Sequence, residues 1–149
     1  MEAGFSQITS FGDYKLIFRQ NEPEFITYCC KKFSVNIETY VEFSIFHKIL
    51  SKLALPKNLK LICRKIDKRF IQKMIQDSPV IIYINKFHLE NIFHYPHFII
   101  LISLNDKNAQ IFDPWDGKYR SIQTSILIKS IASLRNKLRI SPKLIRLSP

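Results

Sequence analysis

Residues 97–113, HFIILISLNDKNAQIFD, contain two apolar runs separated by the polar turn sequence Asn-Asp-Lys-Asn. The runs Phe98–Leu104 and Ala109–Phe112 have the length and composition of strands, so the stretch predicts a β-hairpin. In an antiparallel hairpin, the start of the first strand lies beside the end of the second. His97 and Asp113 are therefore expected to be neighbours.

Further strands are predicted on both sides of this hairpin. Val80–Ile84 is an apolar run rich in β-branched residues, which is typical of an interior strand covered on both faces. Shorter patterns predict strands at Leu59–Ile62, Tyr119–Ile122 and Lys143–Leu147. The aromatic and histidine-rich segment Lys86–Pro96 is expected to be an exposed, mobile loop.

Two helices are predicted in the first third of the chain. The first spans residues 21–33, because Asn21 is a good N-cap and Pro23 fits the first turn. The second begins at Asn36 and ends before Pro56, because apolar residues recur between them at near-helical spacing. Those apolar positions are Ile37, Val41, Ile45, Ile49 and Leu53.

Two more helices follow later in the chain. Asp67 is predicted to cap a short helix, and residues 126–138 form an amphipathic helix with Ile131 and Leu134 facing inward. The order of elements predicts an α+β fold, with N-terminal helices packed on an antiparallel sheet and a further C-terminal helix. The 149 residues are expected to form a single domain, 1–149.

The composition excludes several classes of protein. The chain carries 23 basic and 12 acidic residues, a net charge of +11, and this excess is spread over both halves. A basic tail or arm would make the halves unequal, so the charge indicates a basic surface. The three glycines stand far apart, which excludes a glycine-rich nucleotide-binding loop.

The sequence also bears on location and on bound groups. No apolar run approaches the ~18 residues of a membrane span, and no secretory signal is visible, so a cytoplasmic location is expected. Cys29, Cys30 and Cys63 are odd in number and form no C-x-x-C pair, so neither a disulfide framework nor a zinc site is predicted. No cofactor and no metal are expected. Cys63 is expected to be a small buried residue.

The pair His97 and Asp113 suits acid–base chemistry. A carboxylate that accepts a hydrogen bond from one ring nitrogen fixes the tautomer and leaves the other nitrogen free to act as a base. Pro114 turns the chain away after the pair, and Trp115 is placed to shield it from water. The same residues also fit a purely structural interpretation, in which the histidine ends a strand and the aspartate begins a turn.

Several short motifs stand in a distinctive order in the second half of the chain. They are Ser78–Ile82, Pro96–Ile100, Ile111–Gly117 and Ser121, which leads into a helix. Their order and spacing resemble the bacteriocin-processing cysteine peptidases of the papain-like clan, also called double-glycine leader peptidases. The resemblance covers about residues 21–140, is most specific from Ser78 to Ser121, and implies a papain-like fold.

The resemblance implies roles for particular residues. His97 would be the general base, and Asp113 would be its orienting partner. The Cys-Gly-Pro sequence of the family falls on Asn21–Pro23, so Asn21 occupies the nucleophile position. An amide is not a useful nucleophile near neutral pH. The oxyanion-stabilising glutamine of the family falls on Lys15.

The resemblance therefore implies a pseudo-peptidase that binds a peptide or polypeptide segment without cleaving it. Such a fold holds a cleft between a helical lobe and the sheet, where an extended peptide can pair through its main chain. The side chains expected to line this cleft are Phe87, Phe93, Tyr95 and Trp115. The oligomeric state stays open.

Two alternatives remain at this point. In the first, the enzyme is an active cysteine peptidase in which Cys29 or Cys30 faces His97 in a shifted register. In the second, the chain is a basic nucleic-acid-binding module that uses the lysines and arginines of residues 57–73 or 129–146.

Overall fold

The structure is a computed structural model that describes residues 36–43, 57 and 59–148. Its strands are β1 Asn36–Val41, β2 Leu59–Cys63, β3 Val80–Asn85, β4 Pro96–Leu104, β5 Asn108–Asp113, β6 Lys118–Gln123 and β7 Lys143–Ser148. Its helices are α1 Lys68–Met74, α2 Phe87–Glu90 and α3 Thr124–Ser133, which continues into a π-helical turn at Leu134–Leu138. The predicted helix at 21–33 lies outside the described residues, together with Lys15, Asn21, Cys29 and Cys30.

The strands of the described residues form one mixed sheet of order β2-β1-β7-β3-β4-β5-β6. All neighbouring strands are antiparallel except β1 and β2, which are parallel. Parallel strands need a crossover of a dozen or more residues, and the segment 42–58 between them is long enough. The α+β class is confirmed, whereas the expected sheet of antiparallel neighbours alone is wrong at this pair.

The predicted helix that begins at Asn36 is also wrong, because Asn36–Val41 is the strand β1. Ile37 and Val41 are four residues apart, and this spacing places them on one side of a strand as well as of a helix. β1 lies between β2 and β7, where ladder hydrogen bonds on both edges stabilise the extended backbone. The other positions of that pattern, Ile45, Ile49 and Leu53, lie outside the described residues.

The predicted strands of the second half are confirmed. β4 and β5 form the hairpin, and Asn105 Oδ1 closes its turn by accepting hydrogen bonds from the backbone nitrogens of Lys107 (2.8 Å) and Asn108 (2.7 Å). β3 is an interior strand, as expected. β7 lies between β1 and β3, so the last strand of the chain occupies an interior position in the sheet.

One face of the sheet carries the core that supports the hairpin. Directly paired residues of neighbouring strands share a face. The buried side chains that line this face of β3, β4 and β5 are Val80, Ile82, Ile84, Ile99, Leu101, Ala109 and Ile111. Helix α3 packs against β3 and β5, and its Leu127 and Ile131 join the same core. The inward position of Ile131 and Leu134 is confirmed by their burial.

Two expectations about exposure do not hold in full. The expected exposed loop Lys86–Pro96 is confirmed only in part: residues 90–94 are exposed, but Lys86 is 2% exposed and the short helix α2 follows it. Cys63 is exposed because it ends β2, an edge strand of the described sheet, and its thiol lies 3.2 Å from the carbonyl oxygen of Glu42.

The predicted cap of α1 is present. Asp67 Oδ1 accepts a hydrogen bond from the backbone nitrogen of Phe70 at 2.9 Å. This bond satisfies one of the backbone donors that a helix start leaves unpaired. The helix then buries Phe70, Ile71 and Met74 against the core.

Replacing Asp67 by alanine removes this cap. We expect Asp67→Ala to lower the free energy of unfolding by about 1 kcal/mol, measured by urea denaturation followed by circular dichroism. Asp67→Asn keeps an oxygen acceptor and serves as the matched control, with a loss well below that of alanine. Equal losses for the two variants would contradict the capping role.

Candidate functional site

The hairpin brings His97 and Asp113 into direct contact. His97 is the second residue of β4 and Asp113 is the last residue of β5. The ring nitrogen Nε2 lies 2.7 Å from Oδ1 of Asp113, and both side chains are buried. An ionised carboxylate only accepts hydrogen bonds, so Nε2 is the donor. The predicted proximity of the two residues is confirmed, and Nδ1 is the ring nitrogen that Asp113 does not engage.

The turn after β5 fixes the orientation of Asp113. The backbone nitrogen of Trp115 donates to Oδ1 at 2.9 Å, and the backbone nitrogen of Gly117 donates to the carbonyl oxygen of Asp113 at 2.9 Å. Gly117 has a φ of +69°, a conformation that glycine adopts without the steric cost that a Cβ imposes. The carboxylate is therefore held by both its side chain and its backbone.

A further residue of the site, which the sequence interpretation missed, is Lys86. Its Nζ lies 3.1 Å from Oδ2 of Asp113 and 2.7 Å from Oε1 of Glu90. The backbone of Lys86 donates to the carbonyl oxygen of Tyr95 at 3.0 Å, and the Tyr95 hydroxyl donates to Oε2 of Glu90 at 3.1 Å. Lys86, Glu90 and Tyr95 thus form a closed ring of contacts beside the His97–Asp113 pair.

A sequence signal for Lys86 does exist. Val80, Ile82 and Ile84 alternate along β3 and face the core, and Lys86 continues this two-residue period just beyond the strand. Ile84 is paired with His97 across β3 and β4. The period therefore directs Lys86 toward the face that carries His97, although the aromatic and polar composition of residues 86–96 favours a loop.

The two buried charges shift the pKa values of each other. Burial by itself raises the pKa of the Asp113 carboxyl, but the hydrogen bonds from His97 and Trp115 and the charge of Lys86 hold it well below its ordinary value of 3.8. Burial by itself lowers the pKa of the Lys86 ammonium, but Glu90 and Asp113 more than offset this and raise it above its ordinary value. Both groups are therefore ionised at neutral pH.

A second ion pair flanks the site on the side of β6. The Arg120 guanidinium pairs with the carboxylate of Asp116, which lies in the turn after β5. One of its nitrogens is also 3.9 Å from Oδ2 of Asp113. This pair is partly exposed and adds little net charge to the surroundings of His97.

Two aromatic side chains flank His97, and a third packs on one of them. The ring centroid of His97 lies 6.2 Å from that of Tyr95 and 6.4 Å from that of Trp115, which stands edge-on to it. Phe93 packs on Tyr95 at 4.8 Å. Trp115 is 57% exposed, whereas the His97–Asp113 pair that it flanks is buried. Phe87 stacks on His94, with ring centroids 4.1 Å apart.

The other two histidines of the described residues, His88 and His94, make separate contacts. Nδ1 of His94 is 2.8 Å from the side-chain nitrogen of the fully buried Asn85. Burial lowers the pKa of His88, and the charges of His94 and Lys129 add to this effect. Over residues 36–43, 57 and 59–148, no three His, Cys, Asp or Glu side chains are grouped as ligands for a metal ion.

No family model, no curated protein and no solved structure matches this chain. The functional argument therefore depends on the residues of the site itself. Of the helices in the described part of the chain, none has the length and apolar character that crossing a bilayer requires.

The buried carboxylate of Asp113 gives the protein a defined pH dependence. We expect Asp113→Asn to lower the free energy of unfolding at pH 7 by about 3–5 kcal/mol, because it leaves the buried ammonium of Lys86 without one of its partners. The folded-state pKa of Asp113 is depressed, so its contribution is complete well above pH 3.8 and declines as the pH falls below that value.

The free energy of unfolding of the unaltered chain and of Asp113→Asn is measured by urea denaturation between pH 7 and pH 2. The stability difference should be constant at neutral pH and should shrink in acid. Asp116→Asn is the matched control from the same turn: its carboxylate pairs with Arg120 near the surface, and such pairs contribute about 0–1 kcal/mol. A difference that grows in acid would contradict this account of Asp113.

Proposed function

We propose that this chain is a papain-like domain related to the double-glycine leader peptidases, and that it binds an extended peptide without cleaving it. The observation that carries the proposal is the buried His97–Asp113 pair, 2.7 Å apart, at the start of one strand and the end of the next, with exposed aromatic residues around it. The resemblance to the peptidase family assigns the histidine and the carboxylate of a triad to these two positions.

The geometry of the pair supports this proposal. In a cysteine or serine peptidase, the carboxylate orients the imidazole through one ring nitrogen, and the other nitrogen faces the nucleophile and the substrate. Asp113 engages Nε2, which leaves Nδ1 for a ligand. The carboxylate is itself fixed by the backbone nitrogen of Trp115, as an orienting group requires.

The absence of cleavage follows from Asn21 in the nucleophile position. An amide cannot form the covalent intermediate that divides peptide hydrolysis into two easier steps, and a neighbouring base does not change this. The remaining His97–Asp113 pair can still orient a bound chain, because orientation needs hydrogen bonding and not nucleophilic attack.

The distribution of exposed apolar residues supports peptide binding at this place. Among the described residues, the large hydrophobic side chains that are exposed are Phe43, Ile62, Ile92, Phe93, Trp115 and Tyr119. Three of the six, Ile92, Phe93 and Trp115, lie next to the site, in the loop before β4 and in the turn after β5. Tyr119 of β6 pairs with Phe112, on the face of the sheet opposite to Asp113. Exposed apolar patches of this kind mark binding surfaces on soluble domains.

Strand β6 adds a backbone element to this surface. It is an edge strand of the described sheet, and it pairs with β5 through Lys118–Gln123. Its free edge offers main-chain donors and acceptors to an extended segment, while neighbouring aromatic side chains supply pockets. An extended peptide is therefore the ligand that this combination favours.

The binding proposal is tested with fluorescent leader peptides that end in Gly-Gly, titrated with the full chain. We expect Trp115→Ala to weaken binding about 30-fold, which is the size of a typical tryptophan hot spot. Phe43→Ala is the matched control, because Phe43 is 45% exposed just after β1, a strand separated from β4 by β7 and β3. Equal effects of the two substitutions, or no binding, would contradict the proposal.

The same titration includes single-stranded and duplex DNA. A nucleic-acid-binding module would bind these with an affinity that falls steeply with salt concentration, because each neutralised phosphate releases counterions. Binding of DNA without binding of the leader peptide would favour the nucleic-acid alternative.

The nucleophile position is tested by restoring the cysteine. We expect Asn21→Cys combined with Glu22→Gly to give slow cleavage of Gly-Gly leader peptides, because a thiol at the start of the helix predicted at residues 21–33 would face His97 in the family register. Cleavage is followed by mass spectrometry. Adding His97→Ala to this variant should abolish cleavage, and cleavage by the unaltered chain would show instead that Cys29 or Cys30 acts as nucleophile.

A further inference from the structure

A junction of polar contacts joins three distant parts of the chain beside the end of β1. The Arg135 guanidinium pairs with the carboxylate of Glu42, and one of its nitrogens also donates to the carbonyl oxygen of Ile66 at 3.0 Å. The backbone nitrogen of Ile66 donates to Oε1 of Glu42 at 2.7 Å. Ser141 completes the junction, since its Oγ accepts hydrogen bonds from the backbone nitrogens of Glu42 (3.0 Å) and Phe43 (3.1 Å).

This junction brings together the two basic segments of the nucleic-acid alternative, which lie far apart in the sequence. The first segment contributes Arg64 and Lys65, directly before the junction contact at position 66. The second contributes Lys137 and Arg139, between the junction contacts at positions 135 and 141. All four side chains are exposed, and within the described residues none of them takes part in an ion pair. These four residues form what we call the basic surface.

The surroundings of the basic surface are strongly positive. Residues 64–69 and 135–139 carry seven basic side chains and one acidic side chain, Asp67. Two of the seven are paired with acidic residues from elsewhere in the chain: Arg135 with Glu42 and Lys68 with Asp106. Five basic groups and one acidic group remain, so this region attracts anions and repels other cations.

Arg64 is held in a fixed position at this surface. Its guanidinium carbon lies 3.8 Å from the centre of the Phe70 ring, and its backbone nitrogen donates to the carbonyl oxygen of Val41 at 2.8 Å. Stacking on the ring leaves the N–H donors at the rim of the guanidinium, where they fit the oxygens of a phosphate. A side chain that is already ordered loses less conformational freedom when it binds a ligand.

Arg139 occupies a backbone position that normally suits glycine. It follows the π-helical turn Leu134–Leu138 with a φ of +55°, the left-handed conformation in which a Cβ crowds the backbone. Its backbone nitrogen and that of Ile140 both donate to the carbonyl oxygen of Leu134. An arginine here costs conformational free energy that a glycine would not cost, and such departures from the local optimum are found at functional sites.

Phe43 adds an exposed aromatic ring beside the basic surface. The residue is 45% exposed, and its backbone is held by Ser141 of the junction. Cations beside an exposed aromatic ring are the combination with which proteins bind single-stranded nucleic acid, because the cations contact phosphates and the ring stacks on a base. A duplex keeps its bases stacked inside the helix, and removing one of them costs free energy. The exposed ring therefore favours a single strand.

We propose that the basic surface, together with Phe43, binds single-stranded nucleic acid. Its four cations contact phosphates, and the ring of Phe43 stacks on an unpaired base. This site is separate from the His97–Asp113 pair, because Phe43 follows β1, and β7 and β3 lie between β1 and β4. The proposal does not depend on peptide binding at that pair.

The first experiment measures how binding depends on salt. A labelled single-stranded oligothymidylate of about 16 nucleotides, the upper end of the length that one single-strand-binding domain covers, is titrated with the full chain and followed by fluorescence anisotropy. For single strands, the logarithm of the binding constant falls with the logarithm of the salt concentration by about 0.7 per neutralised phosphate. With four phosphate contacts we expect a slope of about −3. No binding at low salt would overturn the proposal.

Charge variants show whether this binding takes place at the basic surface. We expect Arg64→Gln with Lys65→Gln to reduce the steepness of the slope by about 1.4, the share of two phosphates. Lys137→Gln with Arg139→Gly should give the same reduction. Glycine adopts the left-handed conformation of position 139 without strain, so the loss in that variant reports the missing charge and not a disturbed turn.

The matched control is Lys118→Gln with Lys129→Gln, which also removes two exposed positive charges. Lys118 begins β6, at the opposite edge of the described sheet from β2, and Lys129 lies in α3 close to His88 of α2. We expect this control to leave the slope nearly unchanged. Equal changes in the control and in the surface variants would show attraction by net charge alone and would overturn the site.

The second experiment tests the stacking on Phe43. A strand of the same length whose sugars carry no bases keeps the phosphates but offers nothing to stack. We expect Phe43→Ala to weaken binding of the oligothymidylate about tenfold, with the salt slope unchanged, and to leave binding of the abasic strand unaltered. Tyr119→Ala, which removes an exposed ring from β6, is the matched control and should have no effect on either strand.

Three results of the second experiment would overturn base recognition by Phe43. They are no weakening of oligothymidylate binding in Phe43→Ala, equal weakening for the two strands, and tighter binding of a duplex of equal length. Failure of this site is distinguishable from failure of the proposed function, because the leader peptides are titrated separately and their binding is tested at Trp115. Binding of peptide alone would overturn the nucleic-acid site and leave the proposed function standing.

Discussion

The candidate site depends on the need to compensate the buried negative charge of Asp113. Burying a charged group away from water costs about several kcal/mol of folding free energy unless partners compensate the charge. Each polar neighbour of Asp113 supplies part of that compensation. His97 and the backbone of Trp115 donate to one oxygen, and the ammonium of Lys86 lies beside the other. Together these contacts fix the ends of β4 and β5, the turn that follows, and the chain just beyond β3.

The sheet makes this compensation possible by placing distant residues side by side. β3, β4 and β5 are neighbours in the sheet, and the end of β3, the start of β4 and the end of β5 lie side by side. This arrangement brings together Lys86, His97 and Asp113. The apolar core on the same face, with Leu127 and Ile131 of α3, excludes water from behind the three side chains. The charged group thus stands at the border between a dry core and an exposed aromatic surface, a place suited to ligand recognition.

The buried charges of the site compensate one another through shared contacts. The carboxylate of Asp113 lies between the ring of His97 and the ammonium of Lys86, and Glu90 contacts the same ammonium at 2.7 Å. Each of these groups would be costly to bury alone, so their positions depend on one another.

The sequence by itself determined the features that depend on local interactions. The hairpin, the contact between His97 and Asp113 and the cap at Asp67 follow from short turns, two-residue alternation and a hydrogen bond spanning three residues. Tertiary structure alone decided the features that depend on distant partners. The spacing of Ile37 and Val41 fits a helix and a strand equally, and pairing with β2 and β7 selected the strand. The edge position of β2 exposed Cys63. The two-residue period of β3 directs Lys86 toward the face of His97, but its burial depends on the carboxylates of Glu90 and Asp113, which are distant in the sequence or lie beyond the strand.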